Sequence, residues 1–387
     1  MSTDDEQAIP DEPLPVSVLT GFLGSGKTTL LRHLLAHPAM GETAVIINEF
    51  GEIGLDHLLV EKADEDTILL NSGCLCCTVR GDLVETMRRL FKQRIEREIP
   101  PFVRLVIETT GLADPAPILH TLMNDPLLSA RFRLDGVIVT VDAATGDSTL
   151  DRHDESVKQT AVADRLLLTK CDIAASDGIA ALRERLTLLN PAATVYEVAN
   201  GKIEPERLFD AGLYNPATKS ADVQRWLKAE AYEEAAHHGD HHGHHQGHHQ
   251  GHHQGHHRGH GHSGGHDVNR HDDRVRAFCV TYEPPIDWER FNDWIEMLIT
   301  FYGADILRLK GLLNVAGVER PVVIHGVQHV FHPPARLEAW PDEDRRSRLV
   351  FITRDLDSAM FEHTLKAFLE DRRGTPPPKR SLDDVAG

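Results

Sequence analysis

A glycine-rich segment near the start of the chain constrains its fold more than any other feature. Residues 21–28, GFLGSGKT, match the pattern GxxxxGK[ST] at every fixed position, with the apolar run VSVLT before them and the helical pattern TLLRHLLAH after them. Such a segment binds phosphate when a strand leads into it and a helix follows it. A chance glycine turn is the alternative, and the two flanking elements disfavour it. The segment predicts a nucleotide site on the first strand–helix unit of an α/β domain.

The residue types of this loop suggest how each part acts. Lys27 is expected to reach the β- and γ-phosphates and Thr28 to ligate Mg²⁺, so both are predicted catalytic residues. The backbone N–H groups are expected to point at phosphate oxygens, helped by the dipole of the following helix. The predicted nucleotide-binding residues of the segment are Gly21, Phe22, Leu23, Gly24, Ser25, Gly26, Lys27, Thr28 and Thr29.

The pattern beyond the loop predicts a doubly wound α/β domain with a mostly parallel sheet over residues 15–212. Runs such as TAVIIN, FVRLVIE and LDGVIVTVD are continuously apolar and alternate with amphipathic stretches. Strands of this kind belong to parallel sheets that are covered on both faces. Residues 1–14 before them are polar and acidic, and we expect that segment to be disordered.

The rest of the chain divides into a linker, a second domain and a tail. Residues 213–273 are predicted to be a linker containing a tract of His, Gly and Gln at 237–266, which has no aliphatic side chain to bury. Residues 274–371 combine strand patterns with two helical ones and predict a small α+β domain. Residues 372–387 are predicted to be a disordered tail.

Composition excludes several classes of function. The formal net charge of -19 argues against general binding to nucleic acid or anionic membranes, which need clustered Lys and Arg. No apolar run approaches the roughly 20 residues that span a bilayer, and the acidic start does not resemble a signal peptide. Three of the five cysteines are clustered, which is typical of reduced, metal-binding thiols. We therefore expect a cytoplasmic protein.

Glu108-Thr-Thr-Gly111 follows a buried strand, at the edge of a doubly wound sheet where ligands bind. Glu108 is expected to meet Mg²⁺ directly or through water, and the Gly111 N–H to approach the γ-phosphate as switch loops do. A carboxylate that caps a helix is the alternative, which the phosphate loop upstream disfavours.

Thr169-Lys170-Cys171-Asp172 follows another strand and is a candidate for base recognition. The Asp172 carboxylate can accept both N–H groups of guanine, a donor pattern that adenine lacks, and would thus select GTP. An ordinary charged turn explains these residues equally well when they are taken alone. Thr169 offers only a hydroxyl, so selectivity is expected to rest on Asp172 and the Lys170 stem.

Cys74-Leu75-Cys76-Cys77 predicts a metal site in a loop after the strand TILL. Buried structural cysteines are usually scattered, and redox catalysis normally uses CxxC without a third cysteine between. Three thiolates suit Zn²⁺ or Co²⁺ and leave a tetrahedral ion one ligand short, which favours transfer over permanent storage. Water, a partner side chain, Glu49 or Glu52 are candidates for the fourth ligand, and Glu49 is also a candidate catalytic residue.

The histidine tract predicts auxiliary metal binding. It holds more than half of the chain's 25 histidines in repeats such as HHQG, and neutral imidazoles favour zinc, nickel, copper and cobalt. A soluble spacer that happens to be His-rich is the alternative. The candidate ligands are His237, His238, His241, His242, His244 and His245.

These motifs together resemble one family. GFLGSGKTTLLRHLL, INEFGEIGLD, NSGCLCCTVRGDL, ETTGLADPAP and ADRLLLTKCD look like the CobW-type metallochaperone GTPases, which include zinc-regulated GTPase metalloprotein activators. ILRLKGLLNVAG and RLVFITRDLD resemble the CobW C-terminal domain. The resemblance implies a GTPase that binds zinc or cobalt at CxCC and delivers it to a client metalloenzyme. Ile47 stands where some relatives carry a metal-binding carboxylate.

Two further functions stay open at this point. The chain is also compatible with a cobalt chaperone that serves cobalamin synthesis or a cobalt enzyme, because CxCC accepts both ions. A nucleotide-regulated zinc store or sensor without a client is the other. Slow intrinsic hydrolysis is expected, because the sequence supplies no obvious arginine finger and Arg80, the nearest candidate, is a weak one. The sequence leaves open a monomer or a nucleotide-dependent dimer.

Overall fold

Two sheets organise the protein. A computed structural model describes residues 12–47, 59–62, 67–70, 75–78, 82–209, 274–331 and 333–370, with the three four-residue segments described by their backbone alone. Within these ranges a nine-stranded sheet forms the N-terminal part and a six-stranded sheet the C-terminal part. The acidic segment up to residue 11, the predicted linker and the predicted tail lie outside the described residues.

The N-terminal part alternates strands with helices, as its apolar pattern predicts. Its strands are β1 (Leu14–Gly21), β2 (Thr43–Ile47), β3 (Leu59–Lys62), β4 (Thr67–Leu70), β5 (Leu75–Thr78), β6 (Arg104–Glu108), β7 (Phe132–Asp142), β8 (Arg165–Thr169) and β9 (Thr194–Val198). Its helices are α1 (Lys27–Leu35), α2 (Leu83–Ile95), α3 (Ala116–Asn124), α4 (Pro126–Arg131), α5 (Gly146–Arg152), α6 (Asp154–Val162) and α7 (Ser176–Leu189).

The strand order is β3-β4-β5-β2-β6-β1-β7-β8-β9. All neighbours from β5 to β9 are parallel, whereas β4 is antiparallel to both β3 and β5. The doubly wound, mostly parallel sheet is thus confirmed, with an antiparallel pair added at one edge. β1 begins at Leu14, one residue inside the segment expected to be disordered, because this side chain is buried in the core.

Helices cover both faces of the large sheet, and alternate side chains of its strands enter two separate cores. On β1, Val16 and Val18 pack into one core and Leu19 into the other. On β2, Ile46 packs into the first of these cores and Val45 into the second. This two-sided burial explains why the central strands read as unbroken apolar runs.

The C-terminal part is an antiparallel sheet with two helices. Its elements are β10 (Val275–Tyr282), α8 (Trp288–Tyr302), β11 (Ile306–Leu313), β12 (Val322–Val327), β13 (Val330–Phe331), β14 (Ala335–Arg336), β15 (Ser347–Arg354) and α9 (Ser358–Glu370). The strand order is β10-β15-β11-β12-β13, and β14 also pairs with β12. An aromatic core that includes Trp294, Phe351 and Phe361 packs both helices on one face of this sheet. The predicted α+β class of this part is confirmed.

The second face of the small sheet packs on the N-terminal part. Leu307 and Leu312 of β11 belong to the same hydrophobic core as Val162 and Ala163, which lie just before β8. β11 is consequently buried along its whole length, including its two charged residues Arg308 and Lys310. The two parts share a core. No helix in the described part of the chain has the length and apolar character needed to cross a membrane.

Candidate nucleotide-binding site

The phosphate loop lies between β1 and α1 and depends on glycine. Gly21, Gly24 and Gly26 have φ angles of 142°, 73° and 94°, values that residues with a side chain rarely adopt. A Cβ atom at Gly21 would lie 2.2 Å from Thr140 Oγ1 and 2.4 Å from the Thr140 carbonyl oxygen. The loop therefore packs directly on the end of β7, and a side chain at this position would displace it.

The lysine of the loop is buried and bonded to neutral groups. Lys27 Nζ donates hydrogen bonds to the carbonyl oxygens of Gly21 at 2.8 Å and Phe22 at 3.3 Å, and the residue is 5% exposed. Gly26 caps α1 and provides no side-chain cap for the first N–H groups of this helix. A cation and a helix N-terminus at one loop form an anion site. Thr28 is half-buried in the first turn and Thr29 is exposed.

Neutral hydroxyl groups fix the loop to the neighbouring strands. Ser25 Oγ and Thr140 Oγ1 are 2.6 Å apart, and Thr140 Oγ1 also donates to the Thr20 carbonyl. Thr169 Oγ1 donates to the carbonyl oxygens of Ser25 at 2.6 Å and Val141 at 3.2 Å. The Thr169 hydroxyl, predicted as part of the base-binding motif, is thus bonded to the phosphate loop. These hydroxyl groups fix the shape of the phosphate loop without adding charge to it.

The loop after β8 carries the other two predicted base-binding residues. Lys170 has a left-handed backbone with φ of 59°, and its Nζ donates to Asp142 Oδ2 at 2.6 Å. Burial alone would raise the pKa of Asp142, but hydrogen bonds from Lys170 and the Ala144 N–H hold it below its usual value. Asp172 is exposed, and its Oδ1 accepts a hydrogen bond from the Asn200 N–H at 3.3 Å.

Sequence reasoning missed Asp142 and the turn at Asn200. Asp142 is the last residue of β7 and Asn200 follows β9, both at the carboxyl edge of the parallel sheet, so their position was an available signal. Gly201, next to Asn200, has φ of 72°, and a Cβ there would lie 3.0 Å from the Thr29 carbonyl oxygen. This turn therefore lies against the start of α1, beside the predicted base loop.

The predicted hydrolysis switch lies beside the phosphate loop. Glu108 is fully buried at the end of β6, level with Leu19 of β1. Thr109 N–H donates to the Leu19 carbonyl and Thr109 Oγ1 to Thr20 Oγ1, at 2.9 and 2.7 Å. A Cβ at Gly111 would lie 2.7 Å from Leu23 Cδ2 and 2.8 Å from Leu23 N, so the two loops are in close backbone contact. The structure thus brings Glu108 and Gly111 to the loop where the sequence expects them.

The cysteine motif adjoins this edge through β5, where the structure corrects the predicted loop. Cys76 and Cys77 lie in β5, which pairs with β2 in parallel and with β4 antiparallel, so the backbone there is extended. The apolar pattern alone did not reveal that this segment pairs with a strand on each side, β2 and β4. Thr78 and Glu108 are both level with Ile47 of β2. At about 4.8 Å per strand, the cysteine strand is about 10 Å from the strand of Glu108.

Several predicted metal and catalytic residues lie outside the described residues: Glu49, Glu52, Cys74, Arg80, and the tract with His237, His238, His241, His242, His244 and His245. Within the described ranges no group of three or more His, Cys, Asp or Glu side chains could hold a metal ion. Cys171 Sγ donates to the Leu168 carbonyl, and burial raises the pKa of its thiol. Cys171 therefore has the character of a packed thiol, not of a metal ligand.

The polar groups at this edge fit a nucleotide with Mg²⁺. Thr28 provides a hydroxyl and Glu108 a carboxylate, which are the hard oxygen donors that Mg²⁺ prefers. Lys27 and the start of α1 provide positive charge for phosphates. The arrangement can bind a nucleoside triphosphate across the carboxyl ends of β1, β6 and β8.

Comparison with known families matches both parts of the chain. Residues 15–197 match the CobW/HypB/UreG nucleotide-binding domain, and residues 275–369 match the cobalamin synthesis protein cobW C-terminal domain. These ranges fall within the two domains predicted at 15–212 and 274–371, whose exact limits stay predictions.

Similar curated proteins span the chain. The zinc chaperone YjiA of Escherichia coli is 32% identical over 340 residues, covering 88% of this chain and 94% of that protein. The zinc chaperone CobW of Sinorhizobium sp is 28% identical, covering 92% and 97%. Zinc-regulated GTPase metalloprotein activator 1 of Schizosaccharomyces pombe is 34% identical over 225 residues, which is 55% of this chain and 54% of that protein.

Solved structures agree with these sequence matches. The crystal structure of Zn(II)-bound YjiA GTPase from E. coli has a TM-score of 0.67 and 29% identity, covering 92% of this chain and 99% of that one. A YjiA triple mutant, in which one glutamate and two cysteines are replaced by alanine, matches with the same TM-score of 0.67 and is also Zn(II)-bound.

Proposed function

The chain belongs to the CobW family of P-loop GTPases, and from that membership we propose that it is a zinc metallochaperone whose GTP hydrolysis controls metal delivery. The observation that carries the proposal is the shared sheet. The phosphate loop, the predicted switch and the strand of Cys76 and Cys77 all belong to one run of parallel neighbours, β5-β2-β6-β1. A shift of the switch at the end of β6 is thus passed through β2 to the strand that carries the thiols.

The proposed mechanism assigns the phosphates to the loop and the base to the two turns after β8 and β9. Lys27 exchanges its bonds to the Gly21 and Phe22 carbonyls for phosphate oxygens, and the N–H groups at the start of α1 bind the same anion. Mg²⁺, when bound, neutralises charge that develops on the phosphates. Glu108, at the end of β6, orients the groups around the phosphates. Asp172 accepts the guanine N–H groups.

Zinc is the proposed cargo, held by the thiolates of Cys74, Cys76 and Cys77. Zinc is favoured over cobalt because YjiA and CobW are named zinc chaperones. Binding of GTP is expected to draw the thiolates together, and hydrolysis to relax them, so that zinc passes to a client metalloenzyme. Coupling of this kind is reciprocal, so zinc should also tighten GTP binding. A cytoplasmic location fits thiolates that stay reduced.

A competition titration tests the proposal. The zinc affinity of the full chain is measured against a chelator with a non-hydrolysable GTP analogue, with GDP and without nucleotide. We expect the tightest binding with the GTP analogue, by roughly 5- to 150-fold, the usual range of coupling between two sites. Single-turnover hydrolysis should then release zinc to the chelator.

Matched cysteine variants are the controls. Cys76→Ser, Cys77→Ser is expected to abolish the nucleotide dependence, whereas Cys171→Ser, Cys279→Ser should keep it. The readout is the nucleotide dependence of the zinc affinity and not the total zinc bound. The YjiA variant that lacks two cysteines still binds zinc, and the histidine tract supplies additional ligands. Equal zinc affinity in all three nucleotide states would sink the proposal.

A further inference from the structure

Residues 109–115, which we name the switch loop, are tied down on both sides. On the inner side Thr109 bonds β1 through its N–H and its hydroxyl. On the outer side the Nε2 group of Gln159 donates to the carbonyl oxygens of Gly111 at 3.3 Å and Ala113 at 3.0 Å. One side-chain amide from α6 therefore fixes the part of the loop that is expected to meet the γ-phosphate.

Gln159 is an unusual residue for packing alone. It is 1% exposed, and its Oε1 atom has no hydrogen-bond partner among the described residues. A buried acceptor without a partner is unfavourable, and such groups in native structures point to a specific role. An apolar side chain would fill the space without this cost but would leave the loop carbonyls unbonded. The two bonds to the switch loop are thus what the glutamine provides.

The helix that carries Gln159 is held at both ends by the C-terminal part. At its start Asp154 pairs with Arg354 of β15 at 3.1 Å. At its end the Val162 carbonyl accepts a hydrogen bond of 2.5 Å from Arg308 of β11. Between these anchors Lys158 lies 4.0 Å from Asp114 of the switch loop. α6 is consequently a direct physical link between the small sheet and the switch loop, beside α3, whose His120 Nε2 lies 3.1 Å from the Val327 carbonyl oxygen of β12.

We propose that Gln159 is a positioning residue for GTP hydrolysis and that α6 couples the switch loop to the C-terminal part. Gln159 holds Gly111 against the phosphate loop, where the Gly111 N–H meets the γ-phosphate. The anchors at Arg354 and Arg308 fix the helix, so any partner that shifts the small sheet shifts the switch loop. This inference rests on the proposed function only in taking the switch loop as the sensor of γ-phosphate.

Substitution of Gln159 tests the first half. Gln159→Met keeps the length of the side chain and removes both donors, and we expect single-turnover GTP hydrolysis to fall at least tenfold. Affinity for a GTP analogue should fall towards that for GDP, while GDP affinity stays within twofold. Thr160→Val is the matched control, because this buried neighbour bonds within its own helix, to the Ser156 carbonyl. It should leave both nucleotide affinities and the rate within twofold.

A second variant separates positioning from folding. Gln159→Glu retains one donor while its carboxyl group is protonated and loses it on ionisation, beside two carbonyl oxygens. Its hydrolysis rate relative to the wild type should fall as pH rises while its GDP affinity stays within twofold of the wild type, a combination that loss of the fold would not produce. Wild-type rates and a wild-type preference for GTP over GDP in Gln159→Met, or a flat pH ratio in Gln159→Glu, would overturn the positioning role.

Arg354→Gln tests the coupling. The loss of the Asp154 anchor should change the hydrolysis rate 2- to 30-fold, the range seen when residues between two sites are altered, without changing GDP affinity. An unchanged rate would refute the coupling while leaving the role of Gln159 intact. If the wild type itself failed to hydrolyse GTP, the proposed function would fail first, so the two failures are distinguishable.

Discussion

Two buried lysines show how the same side chain serves two purposes in this protein. Lys27 and Lys310 are 5% and 3% exposed. Lys27 bonds the carbonyls of Gly21 and Phe22 in the phosphate loop. Lys310 bonds the Asp164 carboxylate at 2.8 Å, where the contact joins β11 to the N-terminal part. The first ammonium donates to loop carbonyls that an anion can replace, whereas the second donates to a carboxylate.

The charge at the domain contact is not balanced, however. Asp164 also accepts hydrogen bonds from Arg308 at 2.7 Å and from the Val137 N–H at 2.9 Å. Burial would raise the pKa of Asp164, but the two cations hold it far below its usual range. Burial, reinforced by Arg308, lowers the pKa of Lys310 to about 8 although Asp164 opposes the shift. One carboxylate thus serves two cations, and Lys310 is the weaker partner.

The largest expected effect separates the two lysines by activity. Lys27→Met should reduce single-turnover GTP hydrolysis by roughly 10²- to 10³-fold, the loss typical of a group that stabilises charge in the transition state. Loss of its hydrogen bonds to the Gly21 and Phe22 carbonyls should change the free energy of unfolding by about 1 kcal/mol for each bond. Radiolabelled GTP and urea unfolding measure the two quantities. Hydrolysis at the wild-type rate would remove Lys27 from the site.

Removing the shared carboxylate should have the largest effect on stability. Asp164→Ala leaves Arg308 and Lys310 buried without their counter-ion, which we expect to reduce the free energy of unfolding by about 3–5 kcal/mol. Part of the loss should return in Asp164→Ala, Lys310→Met, since one of the two buried cations is gone. Arg183→Gln, which breaks the exposed pair with Glu197, is the control and should change stability by less than about 0.5 kcal/mol. Equal losses in Asp164→Ala and Arg183→Gln would contradict the buried cluster.

Lys310 should also give stability a distinctive pH dependence. Below about pH 8 it is protonated in both the folded and the unfolded chain. Between about pH 8 and its ordinary pKa of about 10.4, the unfolded chain binds a proton that the folded chain does not, so stability rises with pH. The rise is at most about 3 kcal/mol. It should be absent from Lys310→Met, which is compared with the wild type by urea unfolding at about pH 7.5 and pH 10.

A constant difference in the free energy of unfolding between the wild type and Lys310→Met from about pH 7.5 to pH 10 would show that Lys310 keeps its ordinary pKa.

Asp164 affects stability at acidic pH instead. Because its pKa is depressed, its contribution is present above the unfolded value of about 3.9 and is lost as pH falls below it. The two charged partners therefore act in separate windows, which allows each to be recognised in the wild type.

The sequence predicted the nucleotide end of the molecule better than the domain contact. The fixed positions of the phosphate loop and the continuous apolar strands depend on local chemistry, so the parallel sheet and the position of Lys27 and Glu108 at its carboxyl edge could be predicted directly, while the roles of these two residues stay predictions. Arg308 and Lys310 interrupt the apolar strand ILRLKGLL, a pattern typical of a solvent-facing edge. Their burial depends on Asp164, more than a hundred residues away, and no local pattern reveals such a pairing.

The same limit explains Gln159 and β5. Gln159 lies in an ordinary amphipathic helix, and its role follows from the carbonyls of a loop that precedes it by more than forty residues. The sequence predicted a loop for Cys76 and Cys77 because cysteine has no strand preference strong enough to outweigh the nearby Asn-Ser-Gly turn. Their strand exists because β2 and β4 supply hydrogen bonds on both sides.

Lys170 shares a feature with each of the two buried lysines, because it lies in a predicted nucleotide-binding loop and bonds a carboxylate. Its substitution should have the smallest effect. Its side chain is 38% exposed and bonds Asp142, so Lys170→Met should reduce the free energy of unfolding by less than about 1 kcal/mol. If its stem lies along the guanine, GTP affinity changes little in Lys170→Met, which keeps an apolar stem, and falls roughly 3- to 10-fold in Lys170→Ala. Fluorescent GTP titration distinguishes the two. Equal affinity loss in both variants would show that the ammonium, and not the stem, acts on the nucleotide, which would make Lys170 resemble Lys27.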